Sequence, residues 1–366
     1  VKKQFQESEN SSKPEYMFGH LFGGIGVLAG DFTKTYCIPL SINLQEGIQT
    51  ILNWKKEEHT TPSHVILMIE NGYEAAKTFG KSLLLLDRYF LSVPALECLK
   101  QRNTEGEVAM NIITKAKKSC NAYEKPPKKK PGRGRPPRKG SAVKLKELFS
   151  KESDSFQENT IVLYGKTESV RYYCINLLWG LKLYHELRFV LVEYNGTQSI
   201  LVSTDLELDP VTIIRLYSYR FRIECTFREF KQVIGGFCYH FWSKSMPKLK
   251  RYLKRGETAP IDRITERKER ENILSAVKAI EGYVQFCCVA MGILQLLSLK
   301  FSKEMQGGAF RFLRTPSKAI VSEATVVSYL RKNIFRIMAK KPDLSITRFI
   351  QEKQEGFDIT KDLQAS

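Results

Sequence analysis

LYSYRFRIECTFREFKQ, residues 216 to 232, places Tyr217, Arg220, Glu224 and Lys231 at successive steps of three, four and seven. On an α-helix such steps return to neighbouring positions of one face. A carboxylate then stands among two cations and a phenol. Two readings fit that face: a solvated surface laced by salt bridges, or a face that handles phosphate and metal. The second needs another carboxylate from a distant part of the chain.

Just upstream, STDLELDP (residues 203 to 210) starts the helix, with Pro210 in its first turn and Asp209 as its cap. Residues 158 to 205 are short runs rich in Val, Ile, Tyr and Phe, broken by Gly and Asn. They read as an antiparallel meander of four or five strands, with Tyr194-Asn195-Gly196 as a hairpin turn. Trp179, beside a glycine, suits either packing or stacking on a base.

KSLLLLDRYF, residues 81 to 90, supplies the distant carboxylate. Ser82 to Leu86 is almost wholly apolar and reads as a central strand covered on both faces. Asp87 follows it. A carboxylate where a strand leaves the sheet sits where α/β proteins place chemistry. It equally suits capping a helix that runs through Leu91 to Leu99. Val108 to Thr114 is a further strand, and residues 43 to 56 and 64 to 79 have helical spacing. Residues 14 to 40 read as a hairpin at the start of a sheet, turning near Gly30-Asp31, where Asp31 suits the turn better than catalysis.

The chain has 366 residues, with 58 Lys and Arg against 39 Asp and Glu, for a formal charge of +19. That balance implies a polyanionic partner or an anionic surface. NAYEKPPKKKPGRGRPPRKG, residues 121 to 140, reads as a loop or disordered linker. Its Lys128, Lys129, Lys130, Arg133, Arg135 and Arg138 suit contacts to the DNA backbone, insertion into an AT-rich minor groove, or simple solubilisation. A second basic tract, residues 237 to 257, carries Lys244, Lys248, Lys250 and Arg251 between aromatic residues, a pattern that suits a nucleic-acid groove.

The eight cysteines form no CxxC pair and lie mostly in apolar runs, as reduced thiols of an intracellular protein do. Five scattered histidines give a zinc site little support. Residues 1 to 13 contain no signal-peptide apolar region. Gly282 to Leu299 is long and apolar, but Gln285 and Gln295 mark it as a buried core or interface helix rather than a membrane span. Residues 262 to 281, 318 to 338 and 344 to 353 read as further helices.

LLLLDRY, the strand block ending in STDLELDP, and Tyr217-x2-Arg220-x3-Glu224-x6-Lys231 together resemble the DDE transposases of bacterial insertion sequences, in particular the class with the YREK signature. The resemblance covers roughly residues 1 to 255. It implies an α/β fold: a ribonuclease-H-like mixed sheet with a β-rich insertion and a helical C-terminal region. The corresponding segments are a first part of the catalytic core at 1–120, a basic linker at 121–150, the β-rich insertion at 151–208, the core helix and basic tract at 209–255, and C-terminal helices at 256–366.

The resemblance also implies chemistry. Asp87 and Glu224 stand for two of three carboxylates that hold two divalent cations, Mg²⁺ or Mn²⁺. Tyr217, Arg220 and Lys231 stand for groups that position the phosphates of a transposon end. The implied reaction is hydrolysis at that end followed by strand transfer into target DNA. The implied setting is cytoplasmic, with double-stranded DNA as partner, a homodimer pairing the ends, and no membrane. The family's first Asp lies on the first core strand, ahead of the hairpin. Residues 1 to 16 hold no Asp and the chain opens without Met, so the expectation is a truncated chain whose first ligand lies just before Val1. Rival readings are a non-catalytic DNA-binding relic, a metal-dependent nuclease without strand transfer, and an RNA-binding role, for which no module is legible.

Overall fold

The computed structural model describes residues 2–5, 16–30, 35–45, 63–127, 136–247, 260–305 and 320–340. Asp31 and the helix expected at 344–353 lie outside these residues. So does most of the helix expected at 43–56, whose first residues, Asn43 and Leu44, prove to be strand.

Two short ladders come first. β1 (Lys2–Phe5) pairs antiparallel with β2 (Tyr16–Gly19), with Lys2 opposite Gly19. Two residues on, β3 (Phe22–Gly30) pairs antiparallel with β4 (Thr35–Leu44). This is the hairpin expected at residues 14 to 40, but it forms a two-stranded sheet of its own.

α1 (His64–Phe79) buries Val65, Met68, Ile69, Gly72, Tyr73 and Ala76, a stripe at helical spacing. β5 (Ser82–Leu85) follows and lies close beneath it. A Cβ at Gly72 would stand 2.8 Å from Leu84 Cδ2, so any larger residue there would have to displace the end of the Leu84 side chain. The chain crosses through α2 (Val93–Glu105), capped by the Ser92 hydroxyl, which accepts the Ala95 N–H at 3.3 Å. It returns as β6 (Met110–Ala116), parallel to β5.

β7 (Asn121–Tyr123) and β8 (Ala142–Lys144) pair across the basic segment, and α3 (Leu145–Lys151) follows. The expected meander is β9 (Gln157–Leu163), β10 (Lys166–Trp179), β11 (His185–Tyr194) and β12 (Thr197–Ser203). Asn195 and Gly196 take φ of 46° and 68° in the tight turn, as the sequence there requires. β12 then pairs antiparallel with β6, Val202 opposite Thr114. The result is one mixed eight-stranded sheet ordered β5-β6-β12-β11-β10-β7-β8, with β9 on β10. The segment boundary at residue 151 therefore does not divide the sheet. Among the described residues β5 ends the order and all four of its residues are partly exposed, so there the run expected to be a central strand lies at an edge.

Alternation along β11 assigns the faces. Leu187, Phe189 and Leu191 pack with Leu96 of α2 and with Leu145, Leu148 and Phe149 of α3. Trp179 joins this cluster and donates its indole N–H to Cys120 Sγ at 3.1 Å, so it is a packing residue. Val190 and Val192 point the other way, onto Ile213 and Ile214 of α4 (Pro210–Ser218).

α5 (Arg222–Gln232) and α6 (Arg267–Met305) cover the hairpin through Ile42, Phe230, Val284, Cys288 and Met291. The helices expected at 262–281 and 282–299 are one continuous helix, since Gly282 is tolerated inside it. Among the described residues α6 is the one helix long and apolar enough to cross a bilayer. Its inner face packs on β4 and on α7 (Glu323–Ala339), while Phe286, Val289, Ile293 and Leu296 are exposed. Polar pins hold it in place. Gln285 donates to Ile42 O at 2.9 Å, and Gln295 donates to Glu323 Oε1 at 3.1 Å. All eight cysteines are free; Cys37 and Cys288 are buried and Cys238 is exposed.

His20, between β2 and β3, stacks on Tyr239 with centroids 5.8 Å apart, and its Nδ1 meets the phenol in a hydrogen bond. Burial pulls its pKa from 6.5 to about 4. The unfolded chain therefore binds this proton at higher pH than the folded one. The associated stability is present above pH 6.5 and is lost as pH falls through about 4. Urea unfolding at stepped pH should show a shallower acid loss in His20→Gln than in the parent; parallel losses would remove His20 from the acid-sensitive groups.

Candidate active site

β5 hands Asp87 to the sheet edge by a short sequence of backbone bonds. Leu86 N–H still donates to Ile113 O at 2.9 Å, and the chain then leaves the sheet. Thr114 Oγ1 donates to the Asp87 carbonyl at 2.8 Å and fixes the exit. The Asp87 carboxylate is exposed, and its Oδ1 accepts the Arg88 N–H at 2.6 Å. Asp87 thereby caps a 3-10 turn, Arg88–Phe90; Ser92, not Asp87, caps the helix that follows. Asp87 thus caps this turn through one oxygen, and the cap expected of it on the helix through Leu91 to Leu99 falls to Ser92 instead.

The stretch from Leu216 to Gln232 is not one α-helix. α4 passes into a 3-10 turn, Tyr219–Phe221, and then into α5. The flanking residues Ser218 and Arg222 keep right-handed helical angles, so the rod continues without a break in direction. Tyr217 lies on the last turn of α4, Arg220 in the 3-10 turn, and Glu224 and Lys231 on α5.

Two of these four, Tyr217 and Arg220, meet Asp87 electrostatically. Burial pushes the Tyr217 phenol up to about 12; Arg220 opposes that shift and the Asp87 charge adds to it. Tyr217 is therefore a neutral donor at neutral pH. Arg220 donates to Glu224 in an i,i+4 ion pair. Burial disfavours the Arg220 charge, but the Glu224 hydrogen bond, the Glu224 charge and the Asp87 charge together hold the guanidinium above its usual range. Lys231 stands apart. It is two turns further along, about 10.5 Å by helical rise, and its ammonium lies 5.7 Å from the Phe237 ring centroid.

Of the expected DNA-contacting cations, Arg138 and Lys244 are described and both are exposed. Lys128, Lys129, Lys130, Arg133, Arg135, Lys248, Lys250 and Arg251 lie outside the described residues. Arg138 sits over the Tyr184 ring at 5.6 Å. Lys139 lies 3.7 Å from the Tyr123 centroid and 5.3 Å from that of Tyr184. Sequence reading missed this basic-aromatic cluster, because Tyr184 comes from a distant turn. It also missed a stack beside Asp87, in which the half-exposed Tyr89 lies on His64 with centroids 5.0 Å apart. The RYF triplet was a visible signal; its partner was not.

Asp87 and Glu224 are hard oxygen donors, and one or two carboxylates together with substrate phosphates make a normal Mg²⁺ donor set. Both act on the same guanidinium, so they flank one region. No group of three or more His, Cys, Asp or Glu close enough together to hold a metal ion occurs among the described residues.

Thr114 is buried, and its hydroxyl serves the Asp87 carbonyl. Thr114→Val should cost about 1 kcal/mol in urea unfolding, with the far-ultraviolet spectrum unchanged; an unaltered midpoint would show that the strand exit does not depend on this bond. Compared with protein-family models, with curated proteins and with solved structures, the chain has no match.

Proposed function

We propose that this protein is a DDE transposase of the YREK-signature kind, which cuts and joins double-stranded DNA by phosphoryl transfer. The observation that carries this reading is the convergence of a strand-end Asp87 with Tyr217, Arg220 and Glu224, which come from the other side of a long β block. In this reading the hairpin, β5, β6 and the α4–α5 rod belong to a ribonuclease-H-like core, and β9 to β12 are the β-rich insertion. The parallel β5–β6 pair with its crossing helix and its carboxylate at the strand end supports that assignment.

Each residue then has a task. Arg220 offers a planar guanidinium to two non-bridging phosphate oxygens once its carboxylate partner turns to other work. Tyr217, kept protonated by burial, donates one hydrogen bond without adding charge. Lys231 meets the next stretch of backbone. Asp87 and Glu224 would hold the divalent cation, which would supply Lewis-acid stabilisation at the phosphoryl group. In cleavage a water oxygen bonds to phosphorus as the P–O3′ bond breaks and the 3′ oxygen takes a proton. In strand transfer that 3′ oxygen bonds to a phosphorus of the target and gives up its proton, while the target's own P–O3′ bond breaks and its 3′ oxygen takes a proton. The basic segments bind the DNA backbone, two copies pair the two ends, and the work is cytoplasmic.

A second reading, a DNA-binding relic without catalysis, draws on the missing third carboxylate among the described residues. Both are tested with duplexes carrying the ends of the encoding element. With Mg²⁺, Asp87→Asn and Glu224→Gln should each lower end cleavage about a hundredfold. Tight binding without cleavage by the parent would favour the relic, and cleavage without a joined product would favour a nuclease. Replacing Lys128, Lys129, Lys130, Arg133, Arg135 and Arg138 by Ala should flatten the plot of log affinity against log salt by about 0.9 for each phosphate that the variant no longer neutralises. An unchanged slope would assign the binding charge elsewhere.

A further inference from the structure

α5 buries two side chains, Thr226 and Phe230, one helical turn apart. Phe230 packs among Ile42, Val284, Cys288 and Met291. Apolar packing has no direction of its own. It holds α5 against the hairpin and leaves the rotation of the helix about its axis loosely defined. Thr226 supplies the direction. Its hydroxyl donates to Cys37 O of β4 at 2.7 Å and accepts from Gln295 Nε2 of α6 at 3.2 Å. Beyond its own rod, α5 makes no other side-chain hydrogen bond among the described residues.

The donor and acceptor roles along this path are forced. Cys37 O can only accept, so Thr226 must direct its one proton there. What remains on the hydroxyl is acceptor capacity, and Gln295 must therefore turn its NH₂ to Thr226. The same NH₂ donates to Glu323 Oε1 of α7 at 3.1 Å. One polar path thus crosses β4, α5, α6 and α7. Thr226, Gln295 and Glu323 are 3%, 0% and 5% exposed, so the whole path is buried. It carries a cost, because Gln295 Oε1 is buried without a hydrogen-bond partner among the described residues. A methionine would fill the same space without an orphaned acceptor. Neither packing nor polar satisfaction accounts for the amide; what it adds is direction.

The frame around α5 is joined without it. Tyr36, beside Cys37 on β4, donates to Val321 O at 3.1 Å and meets Ser298 Oγ of α6 at 3.0 Å. Ser302 Oγ of α6 accepts the Val321 N–H at 3.0 Å. These bonds tie the hairpin to α6 and to the start of α7 whichever way α5 is turned.

Glu224 precedes Thr226 by two residues, which is about 200° around the helix. The face held by the polar path and the face that carries the Arg220–Glu224 pair are therefore opposite sides of α5. A rotation of about 10° carries a group at a radius of about 5–6 Å through about 1 Å. A misplacement of that size at a reacting centre costs about a hundredfold in rate.

We propose that Gln295 and Thr226 are positioning residues for Glu224: their hydrogen bonds set the rotation of α5 and so aim the Glu224 carboxylate at Arg220. The effect on α5 stands on the geometry alone, and only its consequence for cleavage rests on the proposed function.

The test uses the full chain with Thr226→Val, Thr226→Ser, Glu323→Gln, and Gln295→Met made together with Glu323→Gln so that no buried carboxylate loses its donor. The first readout is independent of catalysis: the magnetic resonance signals of the Arg220 Nε–H and of the Glu224 carboxyl carbon. Thr226→Val and the Gln295→Met pair should each move both signals, while Thr226→Ser and Glu323→Gln should leave them at the parent's positions. Unchanged amide signals of β11 and β12 confirm the fold, and the Gln295→Met pair decides if Thr226→Val fails to fold. The second readout is end cleavage with Mg²⁺. The same two changes should lower kcat about tenfold or more with the KM for the duplex unchanged, and combining them should lower it no further, since both act through one path. Unmoved Arg220 and Glu224 signals, or equal movement with Thr226→Ser, overturn the proposal. So does a loss of kcat that follows a lower urea midpoint and returns on cooling, which marks a merely structural role. A parent chain that does not cleave defeats the transposase reading, and the two side-chain signals then decide the positioning by themselves.

Discussion

The antiparallel pairing of β12 with β6, from Ile200 opposite Ala116 to Ser203 opposite Ile113, is the interaction on which the rest of the structure depends. It attaches the meander to the parallel β5–β6 pair. Thr204 extends it by one residue: its N–H donates to Ile112 O at 3.0 Å and its hydroxyl accepts the Ile112 N–H at 2.9 Å. Asp209 then caps α4 within a few residues, so the rod must start beside β6 and lie on the face that Ile113 and Leu201 share. Tyr217 and Arg220 reach Asp87 for that reason. Ile113 and Ile200 are fully buried in opposite faces of the same sheet, and burying one such side chain is worth about 1.5–3 kcal/mol.

At the site, charge is largely balanced before any substrate arrives. One guanidinium answers to two carboxylates, and the phenol beside it stays neutral. An anion entering this region would compete with Glu224 for Arg220, which already donates to it. The excess positive charge of the chain lies elsewhere, with its densest runs in the two basic tracts. In the proposed function, attraction over distance and recognition at short range would thus fall to different parts of the molecule.

What could be read from sequence was what local physics decides. α1 was legible to the residue, because Val65, Met68, Ile69, Tyr73 and Ala76 repeat at helical spacing and Gly80 ends them with φ of 81°. The Asn195-Gly196 turn and the Asp209–Pro210 cap were legible for the same reason. The edge position of β5 was not, because an apolar run looks alike whether a strand or a groove lies beside it. The 3-10 turn at Tyr219–Phe221 was not, because residue spacing alone does not separate 3.0 from 3.6 residues per turn. In the site, Asp87 and the rod residues announced themselves by type and spacing. The His64–Tyr89 stack and the cluster of Arg138 and Lys139 on Tyr123 and Tyr184 depend on contacts between distant segments.

The 3-10 turn has a metric consequence. α4 is seated on the main sheet through Ile213 and Ile214, while α5 is tied to the hairpin through Phe230 and through Thr226, whose hydroxyl donates to Cys37 O at 2.7 Å. The rod is thus a strut between two sheets that share no strand pairing among the described residues. Residues in a 3-10 turn rise about 2.0 Å each against 1.5 Å in an α-helix, so three of them lengthen the strut by about 1.5 Å. That is about a third of the spacing between neighbouring strands. Rewinding this single turn to α geometry would draw the hairpin and the main sheet together by that amount, so the winding of three residues gauges the gap between them.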